Sequence, residues 1–380
     1  MTRPFTLLPA LVLAVLVTAC GGAVDTAEPG PSGPAATPPT AASSTAADDE
    51  PTDGPEPSVV ESVGDRALSD EDLQTMQINE LGRVLVAEWH EIKDTTADYK
   101  TSLSRFKEQL QDLSERGYRP ISVGEFITGT FPIPAGTSPV LLTFDDSYKE
   151  HLFFGDDGKP HPDSVVGILQ RMEQADPTWR ARASFAYYWP YPFRETDTDL
   201  IATKLRYLVD NGFDLSNHSN THDNLAQLPP DQVVANLAES QRLLAEIAHG
   251  YAPRTLTLPF GMFPEDKSLV VSGIDGDTTY NHELVFLVGW MPTRSPHHVD
   301  FDPVNVFRVP AHGPWGPNDP DWDGWLDWLD EQPGRRFVSD GDPDVVTFPD
   351  NFAEVYEPRL GLTERTYPAA ATEPEPEPTA

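Results

Sequence analysis

Strand and helix signals alternate through the middle of this chain, which predicts an α/β fold on a parallel sheet or barrel, flanked by disordered tails. Three observations carry the prediction. From about Leu81, short apolar runs alternate with amphipathic helical stretches. The 39 prolines among 380 residues are about twice the usual share of ~5% and cluster towards the ends. Two polar clusters, Asp145-Asp146 and His218–His222, each follow a predicted strand, where barrel and doubly wound folds concentrate chemistry.

The chain opens with Arg3 and a 13-residue apolar stretch, Phe5–Val17, too short to span a bilayer of about 30 Å. Small residues and Cys20 follow, so residues 1–20 read as a secretory signal. Val17-Thr18-Ala19-Cys20 resembles a bacterial lipobox, which implies lipidation at Cys20 and a lipid anchor on the outer face of the cell membrane. The alternative is an ordinary signal with a chance cysteine. Residues 21–78 are assigned to a Pro/Ala/Thr-rich linker that cannot offset its ordering entropy by burial. The catalytic domain is expected over 79–340. A C-terminal extension, 341–380, ends in the acidic run Glu373-Pro374-Glu375-Pro376-Glu377-Pro378.

Taken in order, Val84–Val86 is a β-branched run that ends near His90. Leu103, Phe106, Leu110 and Leu113 share one helical face, with Gly117 as the stop. Ser122 and Glu125 stand at capping-box spacing ahead of a short helix. Val140–Phe144 is a continuous apolar run, as in a strand buried on both faces. A helix over Val165–Met172, a strand over Arg182–Trp189 and a helix over Leu200–Val209 follow, the last stopping at Asn211-Gly212. Phe213–Ser216 is a further strand, and Val233, Val234, Leu237, Leu244 and Ile247 line one side of a helix over Asp231–Ala248.

Charge and cysteine content narrow the function. With 61 acidic against 26 basic residues the net charge is −35, which disfavours nucleic acid and strongly anionic polymers as partners. One cysteine allows no intrachain disulfide and no multi-cysteine metal site. Two histidines four apart are weak alone, as are adjacent aspartates. Together, Asp146, His218 and His222 would supply one carboxylate and two imidazoles with coordination positions left open, the pattern of a catalytic zinc site. Asp145, pointing elsewhere along an extended chain, is then free to act as a base.

Leu141-Leu142-Thr143-Phe144-Asp145-Asp146 resembles the first motif of the polysaccharide deacetylases, the carbohydrate esterases with a NodB-homology domain. Asn217-His218-Ser219-Asn220-Thr221-His222 resembles their second motif, and Ala183-Ser184-Phe185-Ala186 the strand between the two. Leu258-Pro259-Phe260-Gly261 is similar to their third motif, which lines the substrate groove. The resemblance runs from about Leu81 to Arg308. It implies a distorted (β/α) barrel and a divalent metal, usually zinc, held by Asp146, His218 and His222. It also implies Asp145 as base and Pro259, Phe260 and Gly261 in the groove. The implied activity removes acetyl groups from an N-acetylglucosamine-containing cell-surface polysaccharide or peptidoglycan. Two alternatives stay open: an O-acetyl polysaccharide esterase, and a carbohydrate-binding lipoprotein that has lost catalysis.

The chain departs from that pattern in places. Ser147 replaces the glycine that usually follows the two aspartates, which is expected to crowd the groove. The arginine that many members carry before the third motif is missing, and Arg308 resembles one that some members place later, implying that it orients Asp145. The late motif that supplies the general acid has no clean match; His312 is the nearest candidate and His90 the second. Asp319-Pro320-Asp321-Trp322-Asp323-Gly324, with Asp327 and Asp330, matches part of a calcium loop, against the simpler reading of an acidic turn capping a helix over Trp325–Leu329. Trp315, Trp322, Trp325 and Trp328 could stack on sugar rings or form local core.

Overall fold

A computed structural model describes residues 68–369 except 290, 315–318, 333 and 359. The signal segment with Cys20, most of the linker, Trp315 and the Glu-Pro tail lie outside the described residues. Those described belong to one compact unit, Asp65–Ala380.

Eight strands make the central sheet: β1 (Leu85–Trp89), β2 (Tyr118–Pro120), β3 (Ser138–Phe144), β4 (Ser184–Tyr187), β5 (Asp214–Asn217), β6 (Thr255–Thr257), β7 (Leu284–Phe286) and β8 (Val309–Pro310). Neighbours run β7-β6-β5-β4-β3-β1-β8, with β2 added beside the start of β3. Every pairing within it is parallel. A parallel bridge from Phe286 to Val306, just ahead of β8, brings the two ends of the sheet together. The result is the distorted (β/α) barrel that the resemblance implies, within the parallel sheet or barrel predicted by the alternating pattern.

Most of the predicted elements lie where periodicity put them. The helix over Leu103–Glu115 buries Phe106, Leu110 and Leu113. Helices over Val165–Ala175, Thr198–Asp210 and Pro230–Ile247 carry their apolar faces inward. The Ser122/Glu125 capping box forms as spaced. Both faces of β3 are buried, because helices cover the barrel outside and side chains fill it inside. Phe144 stacks between Trp89 and Phe185, at 5.4 and 5.1 Å between ring centroids, which ties β1, β3 and β4 below their C-terminal ends.

The packed structure extends beyond 79–340 at both ends. Helix Asp70–Met76, capped by Ser69 and Asp72, buries Leu73 with Ile78, Val338 and Tyr367. A parallel pair, Val345–Pro349 with Thr363–Tyr367, packs Val346 and Phe348 against Leu81. Glu80 fastens this extension, accepting from Thr347 N at 2.8 Å and Ser339 Oγ at 3.0 Å. Each piece carries only one to three apolar residues in acidic surroundings, so composition alone assigns it to linker or tail.

Candidate functional site

The site lies where three strands end. Asp145 still belongs to the ladder: its amide donates to Trp89 O at 2.8 Å. The chain then reverses, because Asp146 and Ser147 take left-handed φ values of 67° and 46°. This turn sends the two carboxylates in different directions, Asp145 into the barrel and Asp146 towards the end of β5.

Asp145 meets Arg308. Two guanidinium nitrogens donate to its two oxygens, both at 2.8 Å, and Nη1 also reaches Thr143 Oγ1 at 3.1 Å. Arg308 is 0% exposed and is braced from Nε to Leu287 O at 2.6 Å. Burial raises the Asp145 pKa, but the guanidinium outweighs it and holds the group at about 2. Glu88, buried in β1, shares the same cation at 3.4 Å and accepts from Gly289 N at 3.0 Å.

Asp146 faces two imidazoles. Its Oδ1 lies 3.4 Å from both His218 Nε2 and His222 Nε2. That oxygen is buried and has no hydrogen-bond partner among the described residues. His218 donates from Nδ1 to Thr257 O at 2.6 Å, which leaves Nε2 with its lone pair turned to Asp146. His222 reaches the same point from a tight loop, with Ser219 and His222 both left-handed. Asp223 N donates to Ser219 Oγ at 2.7 Å and Asn220 N to Asn236 Oδ1 at 2.8 Å, pinning that loop to the following helix.

These residues fit a divalent metal. The donor atoms all lie within 4.8 Å of one another. The 3.4 Å spacings match the edge, about 3.4 Å, of a tetrahedron with bonds of roughly 2.0–2.2 Å. The orphaned buried oxygen is otherwise hard to account for. Glu88, His90 and Asp145 form a second cluster of this kind, but the Arg308 charge inside it opposes a cation.

The other predicted residues fall as follows. Pro259 is buried in a short turn, while Phe260 is 56% exposed and packs edge-on against His222 at 4.7 Å; Gly261 is left-handed beside Val288. Ser147 does not crowd the groove: it is buried and its hydroxyl donates to Ala186 O at 2.9 Å. His90 is the histidine beside Asp145, its Nε2 3.7 Å from Asp145 Oδ2. His90 Nδ1 faces Glu88 Oε1 at 3.7 Å, and neither atom has a hydrogen-bond partner among the described residues. His312 packs behind it, with ring centroids 5.9 Å from His90 and 5.1 Å from Tyr99.

The calcium loop does not form. Helix Trp322–Glu331 occupies the segment, capped by Asp321 on Gly324 N. Asp323 pairs with Arg105, Asp327 with Arg116, and Asp330 with Arg116 and Arg336. Those carboxylates answer arginines instead of converging on a cation. Trp322 and Trp325 are core residues, and Trp328 lies under the guanidinium of Arg335.

Residue-by-residue reading overlooked Glu88, Thr143, Tyr188 and Arg194. An acid inside the strand Leu85-Val86-Ala87-Glu88-Trp89 was the available signal for the first. Tyr188 packs on His222 at 5.4 Å, a contact that sequence spacing does not announce.

The family model for polysaccharide deacetylases matches residues 133–274, under half of the chain, taking in Asp145, Asp146, His218, His222 and Pro259–Gly261 but not His90 or Arg308. No curated protein matches. Among solved structures, a Streptococcus pyogenes deacetylase in complex with acetate is 17% identical, with 60% of this chain and 92% of that one covered and a TM-score of 0.45. IcaB from Ammonifex degensii is 18% identical over 66% and 96%, at a TM-score of 0.42. A polysaccharide deacetylase from Bacillus cereus is 16% identical over 60% and 64%, at a TM-score of 0.43, so this chain spans just under two thirds of that protein.

Proposed function

This chain belongs to the polysaccharide deacetylase family, hydrolases acting on carbon–nitrogen bonds other than peptide bonds, and from that premise we propose that it removes acetyl groups from an N-acetylglucosamine-containing cell-surface polysaccharide or peptidoglycan. The observation that carries the reading is the meeting of Asp146 with His218 and His222 beside a separate carboxylate, Asp145, neutralised by Arg308.

Asp146, His218 and His222 would hold the divalent ion, with zinc the preferred choice for one carboxylate and two imidazoles. When bound, such an ion supplies Lewis acidity to the acetamide carbonyl and lowers the pKa of a water. Asp145 takes the proton of the attacking water on a carboxylate oxygen. Arg308 keeps that carboxylate ionised and fixes its direction. His90, in its protonated form, gives a proton from Nε2 to the departing amine as the carbon–nitrogen bond breaks, leaving acetate and a free amino sugar. Its 3.7 Å approach to Asp145 favours it over His312, which lies one ring further back.

Three observations support catalysis over a carbohydrate-binding relic: Arg308 supplies a guanidinium to Asp145, the Ser147 hydroxyl is turned onto the β4 backbone, and His90 adjoins Asp145. The same proposal places the protein on the outer face of the cell membrane through a lipid on Cys20, supported by Arg3, the apolar Phe5–Val17 and the small residues before the cysteine. Labelled palmitate that enters wild type but not Cys20→Ser is expected; equal labelling of both would contradict it.

Acetate release by the full chain from chitin oligomers, peptidoglycan and acetyl-xylan tests the activity. Release from the first two, and little from acetyl-xylan, is expected. Release from acetyl-xylan alone would replace the reading with an O-acetyl esterase.

A further inference from the structure

The rim of the site carries a guanidinium that the deacetylation chemistry does not use. Arg194 sits over the Tyr148 ring at 4.5 Å and the Tyr188 ring at 5.5 Å, and donates from Nη1 to the Tyr188 hydroxyl. Tyr148 is two residues past Asp146. Tyr188 packs on His222 at 5.4 Å and on His218 at 6.4 Å. The cation therefore stands within two ring contacts of the candidate metal ligands.

Its electrostatic surroundings are unusual for this chain. Acids outnumber bases 61 to 26, and neighbouring Lys204 is matched by Glu195 at 2.6 Å. Arg194 forms no ion pair with a carboxylate among the described residues; the two tyrosines are its only polar partners. The backbone bends to present it, with Phe193 and Arg194 both left-handed at φ 59° and 55°. Consecutive left-handed positions without glycine persist only where packing enforces them, as the burial of Phe193 under Lys204 does here.

Building on the deacetylase reading, we propose that Arg194 binds a carboxylate carried by the sugar next to the acetylated one, so that the preferred polymer alternates acetamido sugars with acid-bearing sugars. With N–H groups turned to Tyr188 and Tyr148, the guanidinium, which carries five N–H donors, still offers donors to a carboxylate. Clamping between two rings fixes the fork in advance. Phe260, exposed and also in ring contact with His222, offers a flat apolar face for the sugar ring itself. The net charge of −35 still repels a densely charged polymer, but screening over about 8 Å leaves a single carboxylate at the groove governed by Arg194. Two sources present such a carboxylate: the lactyl group of a muramic acid that carries no peptide, and a uronic acid.

The test uses the full chain and three tetrasaccharides: the N-acetylglucosamine tetramer, an oligomer alternating N-acetylglucosamine with N-acetylmuramic acid, and an oligomer alternating N-acetylglucosamine with glucuronic acid. The quantity read is kcat/KM for acetate release on each charged oligomer divided by that on the neutral one. Arg194→Gln is expected to lower this ratio by about tenfold or more for at least one charged oligomer, and Arg194→Lys to lower it less. The oligomer affected identifies the source of the carboxylate, and reducing that carboxylate to an alcohol should abolish the difference between wild type and Arg194→Gln. An unchanged ratio, with all three oligomers slowed alike, would make Arg194 only a brace between Tyr148 and Tyr188 and overturn the proposal. If wild type releases acetate from none of them, the deacetylase reading fails by itself. The same ratio, taken as dissociation constants by calorimetry, then decides for or against the role of Arg194.

Discussion

Arg308 and Asp145, 163 residues apart in sequence, meet through two parallel hydrogen bonds of 2.8 Å inside the barrel. The pair makes a carboxylate that is buried, ionised and aimed, the combination a base needs when it must stay unprotonated away from bulk water. Arg308→Lys keeps the charge but not the fork, and is expected to lower kcat by about tenfold to a hundredfold with the protein still folded. Arg308→Met leaves Asp145 and Glu88 buried without a cation and should cost about 3–5 kcal/mol of stability in denaturant titration. Full activity of Arg308→Met would detach the pair from function.

His90 offers a second test, because proton donation matters in proportion to how poor the leaving group is. His90→Gln is expected to slow acetate release from N-acetylated oligomers by about a hundredfold or more. Hydrolysis of p-nitrophenyl acetate, whose phenolate leaves unaided, should change far less. Equal losses on both substrates would give His90 a structural role and return the proton to His312.

Asp214 gives a prediction about pH and stability. Burial pushes its carboxyl up to about 6 while it accepts from Val123 N at 2.8 Å. A carboxyl with a raised folded pKa contributes most below the unfolded value near 4, and that contribution is lost as pH rises through about 6. Asp214→Asn keeps an acceptor without the titration. Measured by denaturant at each pH, it should gain on wild type by up to about 2 kcal/mol between pH 4 and pH 7. A constant difference would contradict the raised carboxyl of Asp214.

The acidic segment Asp319–Asp330 should be indifferent to calcium. Arg116 ties Asp112, Asp327 and Asp330 together at 3.0, 2.9 and 2.8 Å. Calcium is expected to leave the thermal midpoint unmoved. Arg116→Ala should lower stability by about 1 kcal/mol, modest because the network is partly solvated. Heat released on calcium titration at this segment would reinstate the loop.

The barrel elements were legible because each buries a face at a fixed spacing. Leu103, Phe106, Leu110 and Leu113 repeat at helical intervals, and Val140–Phe144 is apolar throughout because both sides of β3 are covered. Asp145, Asp146, His218 and His222 were legible because their motifs are local and follow strand ends. What escaped was assembled by long-range packing. Arg308 and His90 were named only through the resemblance, with His90 ranked behind His312, because the Arg308 contact spans 163 residues; Glu88 was missed, since it acquires meaning only when β1 lies between β3 and β8. Glu80 was hidden likewise, since its contact with Thr347 depends on a C-terminal strand pair of ordinary composition.

The central claim is that Asp146, His218 and His222 hold a divalent metal while Asp145 works as the base beside it. Zinc content after chelation and reloading, measured together with acetate release for wild type, Asp146→Ala and Asp145→Asn, tests it most directly. The account predicts about one zinc per chain with activity in wild type, neither in Asp146→Ala, and zinc without activity in Asp145→Asn. Zinc retained at full stoichiometry by Asp146→Ala, or full activity in Asp145→Asn, would contradict it.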